Sequence, residues 1–290
     1  MNEFAANTVR HPTSVTLAKP MQIDSIRLVP CLVLLLGSCE STLAGSNIYL
    51  GQRTTPSSIS MNDVDHGVWS ELVSTYVDDQ GLVNYRAWLA SKRDRGRLTT
   101  YLSHLSSASH DVAASRSAKL AFWINAYNAV TVEGILREYP TSSIRNHTAK
   151  LFGYNIWDDL QLYVGGVAHS LNEMEHEILR PMGEPRIHFA IVCASMGCPR
   201  LLNEAYTAEN LDKQLQRNAK HFFAQPANFK LSGSNVQVSS ILKWFSDDFG
   251  TSDPAVLRRI RPWLEPADAA KLRETATLSY LSYDWSINAQ

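Results

Sequence analysis

SAKLAFWINAYNAVTVEGILREY, residues 117–139, is the longest helical candidate in the chain. Its apolar residues fall on most sides of a helix rather than along one stripe, the pattern of a helix that runs through a core. Pro140 ends it, since proline supplies no backbone N–H to continue the helix. Asn125 and Asn128, at i and i+3, share a face with Ala121 and Val132, so both amides are predicted to be buried. Buried amides need partners.

Shorter elements are predicted on either side of this helix. Trp69, Leu72, Val73, Tyr76 and Val77 recur at helical spacing, and Asp78-Asp79-Gln80-Gly81 supplies a turn after them. Leu98, Tyr101, Leu102 and Leu105 mark a further amphipathic helix. Downstream, Leu162–Ala168 predicts a hairpin turning at Gly165-Gly166. Ser170-Leu171-Asn172-Glu173 has the spacing of a capping box, with Pro181 closing the helix it opens. Ile187–Val192 (IHFAIV) reads as a buried strand, Cys193–Pro199 as a loop, 208–222 as a helix, and Phe229–Val238 as a second hairpin. The predicted class is α+β: one mainly helical domain around the central helix, with a small antiparallel sheet. The aromatic run Tyr280–Asn288 is predicted to dock back onto the domain.

The chain has 290 residues, 44% hydrophobic and 19% charged, which excludes disorder over most of its length. A formal charge of −1 lacks the basic excess that attracts a phosphate backbone, so nucleic acid is not an expected partner. Leu28–Gly37 is an apolar run after Arg27, too short for a bilayer span of about 20 residues and suited to an export signal. Leu36-Gly37-Ser38-Cys39 resembles the lipobox of bacterial lipoproteins, in which the cysteine is lipidated. The predicted organisation is an export signal over 1–39, with its start at Met21, a tether over 40–60, and a globular domain over 61–290. Cleavage after Ala44 would instead release the domain unanchored. Either way the expected location is the cell envelope, and the lipid anchor makes a membrane the expected partner.

That leaves Cys193 and Cys198 as the cysteines of the globular part. In one reading Cys193 is a nucleophile for acyl transfer, activated by a histidine that favours its thiolate. Glu175, His176, His188, Asn125 and Asn128 are the candidate partners. Strand geometry opposes a direct pair with His188: five steps along a straight strand span about 16 Å and end on the opposite face. His176 is then the favoured base. In a second reading Cys193 and Cys198 form a disulfide, structural or redox-active. In a third they bind zinc with His188 and a further histidine, although no paired ligand spacing supports it. In a fourth both are small buried hydrophobes. Trp244, Phe245 and Phe249, around Asp247-Asp248, read either as a pocket wall or as plain core. No cofactor motif was found.

Several ordered motifs converge on one family: Ala121-Phe-Trp-Ile-Asn-Ala-Tyr-Asn-Ala129, Met174-Glu-His-Glu-Ile-Leu-Arg180, His188-Phe-Ala190 with Cys193 and Cys198-Pro199, Lys243-Trp-Phe245 with Asp248-Phe249, and Tyr283-Asp-Trp285. The chain resembles the DUF547 family from about Val64 to Asn288. That family carries no assigned activity. The resemblance fits a papain-like or transglutaminase-like thiol hydrolase of the envelope, acting on an amide or peptide bond. Cys193 would be its nucleophile, His176 or His188 its base, and Glu175 or Asn125 the group that orients the base. The alternative is a non-catalytic envelope binding module with a Cys193–Cys198 disulfide.

Overall fold

In the computed structural model, which describes residues 47–54, 58–148 and 154–290, the central helix extends from Arg116 to Glu138. At 23 residues it is about 35 Å long. Ser115 caps its start by accepting from the Ala118 amide, and every residue from Leu120 to Leu136 is buried. The predicted burial on all sides is therefore met. The export signal and the Cys39 lipobox lie outside the described residues. Within the described residues no helix is long and apolar enough to cross a membrane.

The elements in order are β1 (Ile48–Leu50), α1 (Gly67–Tyr76), α2 (Tyr85–Ala90), α3 (Lys92–Leu105), α4 (Arg116–Glu138), β2 (Leu160–Val164), β3 (Val167–Ser170) and α5 (Leu171–Glu173). They continue with α6 (Leu211–Ala224), β4 (Phe229–Ser232), β5 (Asn235–Ser239), α7 (Ile241–Trp244), α8 (Ser246–Phe249), α9 (Asp253–Ile260), α10 (Pro266–Lys271) and β6 (Thr277–Leu281). The fold is α+β, as its sequence predicts. Both hairpins form, and Gly165 and Gly166 take the positive φ angles of 59° and 83° that a tight turn demands.

The sheets are mixed rather than antiparallel. β1 runs parallel to β2, and β6 runs parallel to β5, each extending a hairpin into three strands. β1 lies inside the stretch read as a tether, and Ile59 bridges Ala108, so the ordered fold begins before residue 61. The capping box at Ser170 forms, but Pro181 does not stop the helix. A π-helical stretch (Met174–Leu179) and a 3-10 turn (Arg180–Met182) continue from α5 until Gly183 closes it in the left-handed conformation.

Apolar side chains collect into two clusters. One surrounds α4 and takes in α1, α3 and the strands β1–β2. The other joins Phe189, α6, the strands β4–β5 and α9. The C-terminal run docks back as its composition predicts: Val83 N–H donates to Asn288 O, Ile287 N–H to Ser142 O, and Asn288 N–H to Ala194 O.

Candidate active site

Ile187–Val192 is not a strand. Glu184 caps a 3-10 turn over Pro185–Phe189 by accepting from the Arg186 amide, and the next residues run irregularly. What replaces a sheet ladder is a set of buried side-chain amides. Asn128 on α4 donates to Ala190 O at 2.9 Å and accepts from Val192 N–H at 2.9 Å. Asn218 on α6 donates to Phe189 O at 2.6 Å. The loop carrying Cys193 is thus fastened between two rigid helices. With no strand, the parity argument against His188 lapses, and His188 and Cys193 line one cleft of about 140 Å³.

The cleft lies where the two apolar clusters meet: Tyr127 and Ile191 come from the first, Ile241 from the second, while Trp157 and Phe245 pack against them. Cys193, Cys198 and Tyr283 form one wall. Cys193 Sγ lies 2.8 Å from Cys198 Sγ, 3.0 Å from Ser195 Oγ and 3.0 Å from Tyr283 OH, and both thiols are free. Burial pushes the Cys193 thiol up. The hydrogen bonds from Cys198, Ser195 and Tyr283 outweigh it and bring the thiol down to about 7. Cys198 is driven the other way, by burial and by the neighbouring thiol. Beside Cys193, Ala194 holds a φ of 55°, an unfavourable conformation for a residue with a Cβ. Pairing holds it there: Met196 N–H donates to Ser286 O and Gly197 N–H to Asp284 O, each at 2.8 Å. A Cβ on Gly197 would come within 2.9 Å of the Asp284 backbone, which the glycine avoids.

The other wall is ionic. His188 Nε2 lies 2.7 Å from Asp248 Oδ2, and Arg180 Nε donates to the same oxygen at 2.7 Å. Burial raises the Asp248 carboxyl, but the bonds from Arg180 and His188 leave it below its ordinary value. An ionised Asp248 requires Nε2 to carry the proton, so Nδ1 is the basic nitrogen of His188. Burial nonetheless lowers the imidazole to about 4, against the pull of Asp248. Phe245 stacks on this ring at 4.1 Å, and the Arg180 guanidinium sits 5.4 Å from the centroid of the same phenyl ring. Glu175, 9% exposed, also lines the cleft; Tyr127 donates to it at 3.1 Å, and burial raises its carboxyl to about 7.

Two predicted partners of Cys193 lie elsewhere. Both polar atoms of Asn125 are spent on the Tyr206 backbone, at 2.8 and 2.9 Å, so its amide orients no imidazole. His176 is exposed and bonds Arg180 at 3.0 Å, because the π-helical turn directs Glu175 inward and leaves its neighbour outside. Among the described residues no imidazole hydrogen-bonds Cys193 Sγ. Glu175 bonds Tyr127 rather than a histidine. Of the three aromatics around Asp247-Asp248, Trp244 and Phe245 line the cleft and Phe249 is core. Tyr283 lines the cleft and Asp248 stands behind His188, and sequence reasoning assigned neither a role. The only signal for them was their place in the Asp248-Phe249 and Tyr283-Asp284-Trp285 motifs.

The profile of a family described as protein of unknown function, DUF547, matches residues 112–223. That span includes α4, Glu175, His188 and both thiols, and over it the chain resembles this family. No curated protein and no solved structure matches the chain.

Proposed function

We propose that the chain is a thiol-dependent hydrolase of an amide or peptide bond, with Cys193 as the nucleophile. The observation that carries this reading is a single cleft holding a thiol lowered to about 7 and an imidazole whose tautomer is fixed by Asp248. The thiolate attacks the carbonyl carbon, and the tetrahedral adduct collapses to a thioester as the C–N bond breaks. Glu175, raised to about 7, donates the proton that the departing amine takes. Water then adds to the thioester, giving a proton to Nδ1 of His188; the C–S bond breaks, the acid leaves and the thiolate is restored, and the proton held by His188 returns through solvent to the ionised Glu175 before the next turnover. The apolar lining from Trp157, Ile191, Ile241 and Phe245 suits an uncharged acyl group.

The test is labelling with a chloroacetamide probe bearing an apolar acyl group, alongside turnover of a panel of acyl anilides. Wild-type protein is expected to carry the label on Cys193 and to release aniline. Cys193→Ala is expected to lose both while unfolding at the wild-type temperature. An equally active alanine variant ends the reading. Quantitative Cys193–Cys198 disulfide, unlabelled even after mild reduction, would establish the non-catalytic binding module in its place. The same reading puts the enzyme in the bacterial cell envelope, on the periplasmic side, anchored through Cys39. Cys39→Ser should release it from membranes, and continued attachment would refute the anchor.

A further inference from the structure

A second cavity, of about 340 Å³, shares Cys198 and Pro199 with the cleft and is also lined by Gln80, Arg200, His221 and Gln225. Arg200 is its charged group. Nε donates to Asn218 Oδ1 and Nη1 to the Asp79 carbonyl, each at 2.8 Å. A guanidinium has five N–H donors, so three remain for another acceptor. Among the described residues Arg200 forms no ion pair: the Asp79 carboxylate accepts from Asn203 at 3.0 Å, and Arg217 pairs with Glu204 instead. A partly buried cation with no carboxylate in direct contact carries a desolvation cost that a bound anion relieves.

The geometry points to this cavity as a binding site for a carboxylate-bearing ligand of about dipeptide size, held by the free edge of the Arg200 guanidinium. The planar edge of a guanidinium matches a carboxylate through two parallel N–H···O bonds. Burial and the neighbouring Arg217 outweigh the more distant Asp79 carboxylate and hold the Arg200 group below its usual value, consistent with a cation whose charge is only partly compensated. His221 is lowered by burial and by Arg200, so it is neutral at pH 7 and the cavity presents one positive charge. One charge favours a monoanion over a doubly charged phosphate. The volume lies within the range of small-molecule sites, roughly 300–1,000 Å³. The inference stands apart from the thiol chemistry, because it requires only Arg200 and the cavity around it.

The experiment is isothermal titration of the Cys193→Ala protein, in which thiol chemistry is absent, with N-acetylalanylalanine and with its C-terminal amide. The acid is expected to bind at least tenfold more tightly than the amide. Arg200→Gln should lose that preference. Because Arg200 also holds Asp79 and Asn218, Gln225→Glu is the second variant: nearly isosteric, it sets a carboxylate beside His221 in the same cavity as Arg200 and should weaken the acid at least tenfold. Equal binding of acid and amide, no binding of either at millimolar concentration, or an unaltered affinity in folded Gln225→Glu would each overturn the assignment.

Discussion

Cys193 and His188 line the same small cleft, yet the thiol wall and the ionic group behind His188 are tuned by opposite means. Cys193 is made acidic by uncharged donors, Tyr283, Ser195 and Cys198, with no charged group among its hydrogen-bond partners. His188 is fixed by a charge pair, Asp248 with Arg180, and burial still keeps it neutral. Uncharged donors adjust how readily the sulfur ionises without adding an ion to an apolar cavity. A carboxylate does something else for the imidazole: it selects which nitrogen holds the proton. The two walls should therefore fail separately, one through thiol acidity and the other through tautomer.

The sharpest break is Asp248→Asn. An asparagine can present its amide N–H to Nε2 and stabilise the wrong tautomer, a change that costs a serine protease about 10⁴ in rate. Amide turnover is expected to fall by about 10³–10⁴, while alkylation of Cys193 by iodoacetamide keeps its wild-type rate. If alkylation falls in step with turnover, the walls are one coupled unit and the comparison dissolves.

Asn128 and Asn125 extend the contrast to the scaffold and show what the sequence could and could not convey. Their spacing on α4 reveals that both are buried, but not which remote backbone each one holds. Asn125 holds Tyr206 and Asn128 holds the loop before Cys193. Asn128→Ala strands a buried carbonyl and a buried amide, at about 1–3 kcal/mol each. The variant should lose roughly 2–6 kcal/mol in urea unfolding and also lose turnover in the fraction that stays folded. Asn125→Ala should lose similar stability with turnover per folded molecule retained. Loss of turnover in both would remove the distinction. Local patterns were legible throughout: α4, the two hairpins, the capping box and the docking of the C-terminal run. IHFAIV reads as a strand but forms a 3-10 turn and irregular chain, because a short apolar run has no period that separates a strand from a buried turn. Asp248 reaches His188, and Tyr283 reaches Cys193, from 60 and 90 residues further along the chain, separations that only tertiary packing closes.

The pH dependence of stability separates Glu175 from His188. Glu175 has a folded value of about 7 against an ordinary 4.5, so between these values the folded state keeps a proton that the unfolded state has released. Its contribution therefore falls as pH rises through that window, by about 3–4 kcal/mol in all. His188 runs the other way: its folded value is about 4 against 6.5, so the unfolded state binds more protons and stability rises with pH between them. Glu175→Gln removes only the falling limb. Urea unfolding at pH 5 and at pH 7.5 should show the variant gaining about 2–3 kcal/mol on wild type across that interval. A constant difference at both pH values would mean that Glu175 is ionised in the folded protein throughout.

Tyr283→Phe is the smallest expected effect and the most direct probe of the thiol wall. Burial and the adjacent thiols drive the Tyr283 phenol far above its ordinary value, so it remains a donor wherever Cys193 ionises. Phenylalanine keeps the ring packed against Trp244 and Trp285, at 4.9 and 4.5 Å, and removes only the hydroxyl. Loss of one donor among three should raise the thiol by about one unit, worth about 1.4 kcal/mol. At pH 7 the thiolate fraction then falls from about half to about a tenth, and alkylation slows about fivefold. At high pH the order reverses slightly, since a more basic thiolate is the better nucleophile. A crossing pair of pH–rate curves is thus the signature of lost acidity. Parallel curves would instead indicate blocked access to Cys193, and a midpoint unmoved from about 7 would assign its acidity to Ser195 and Cys198 alone.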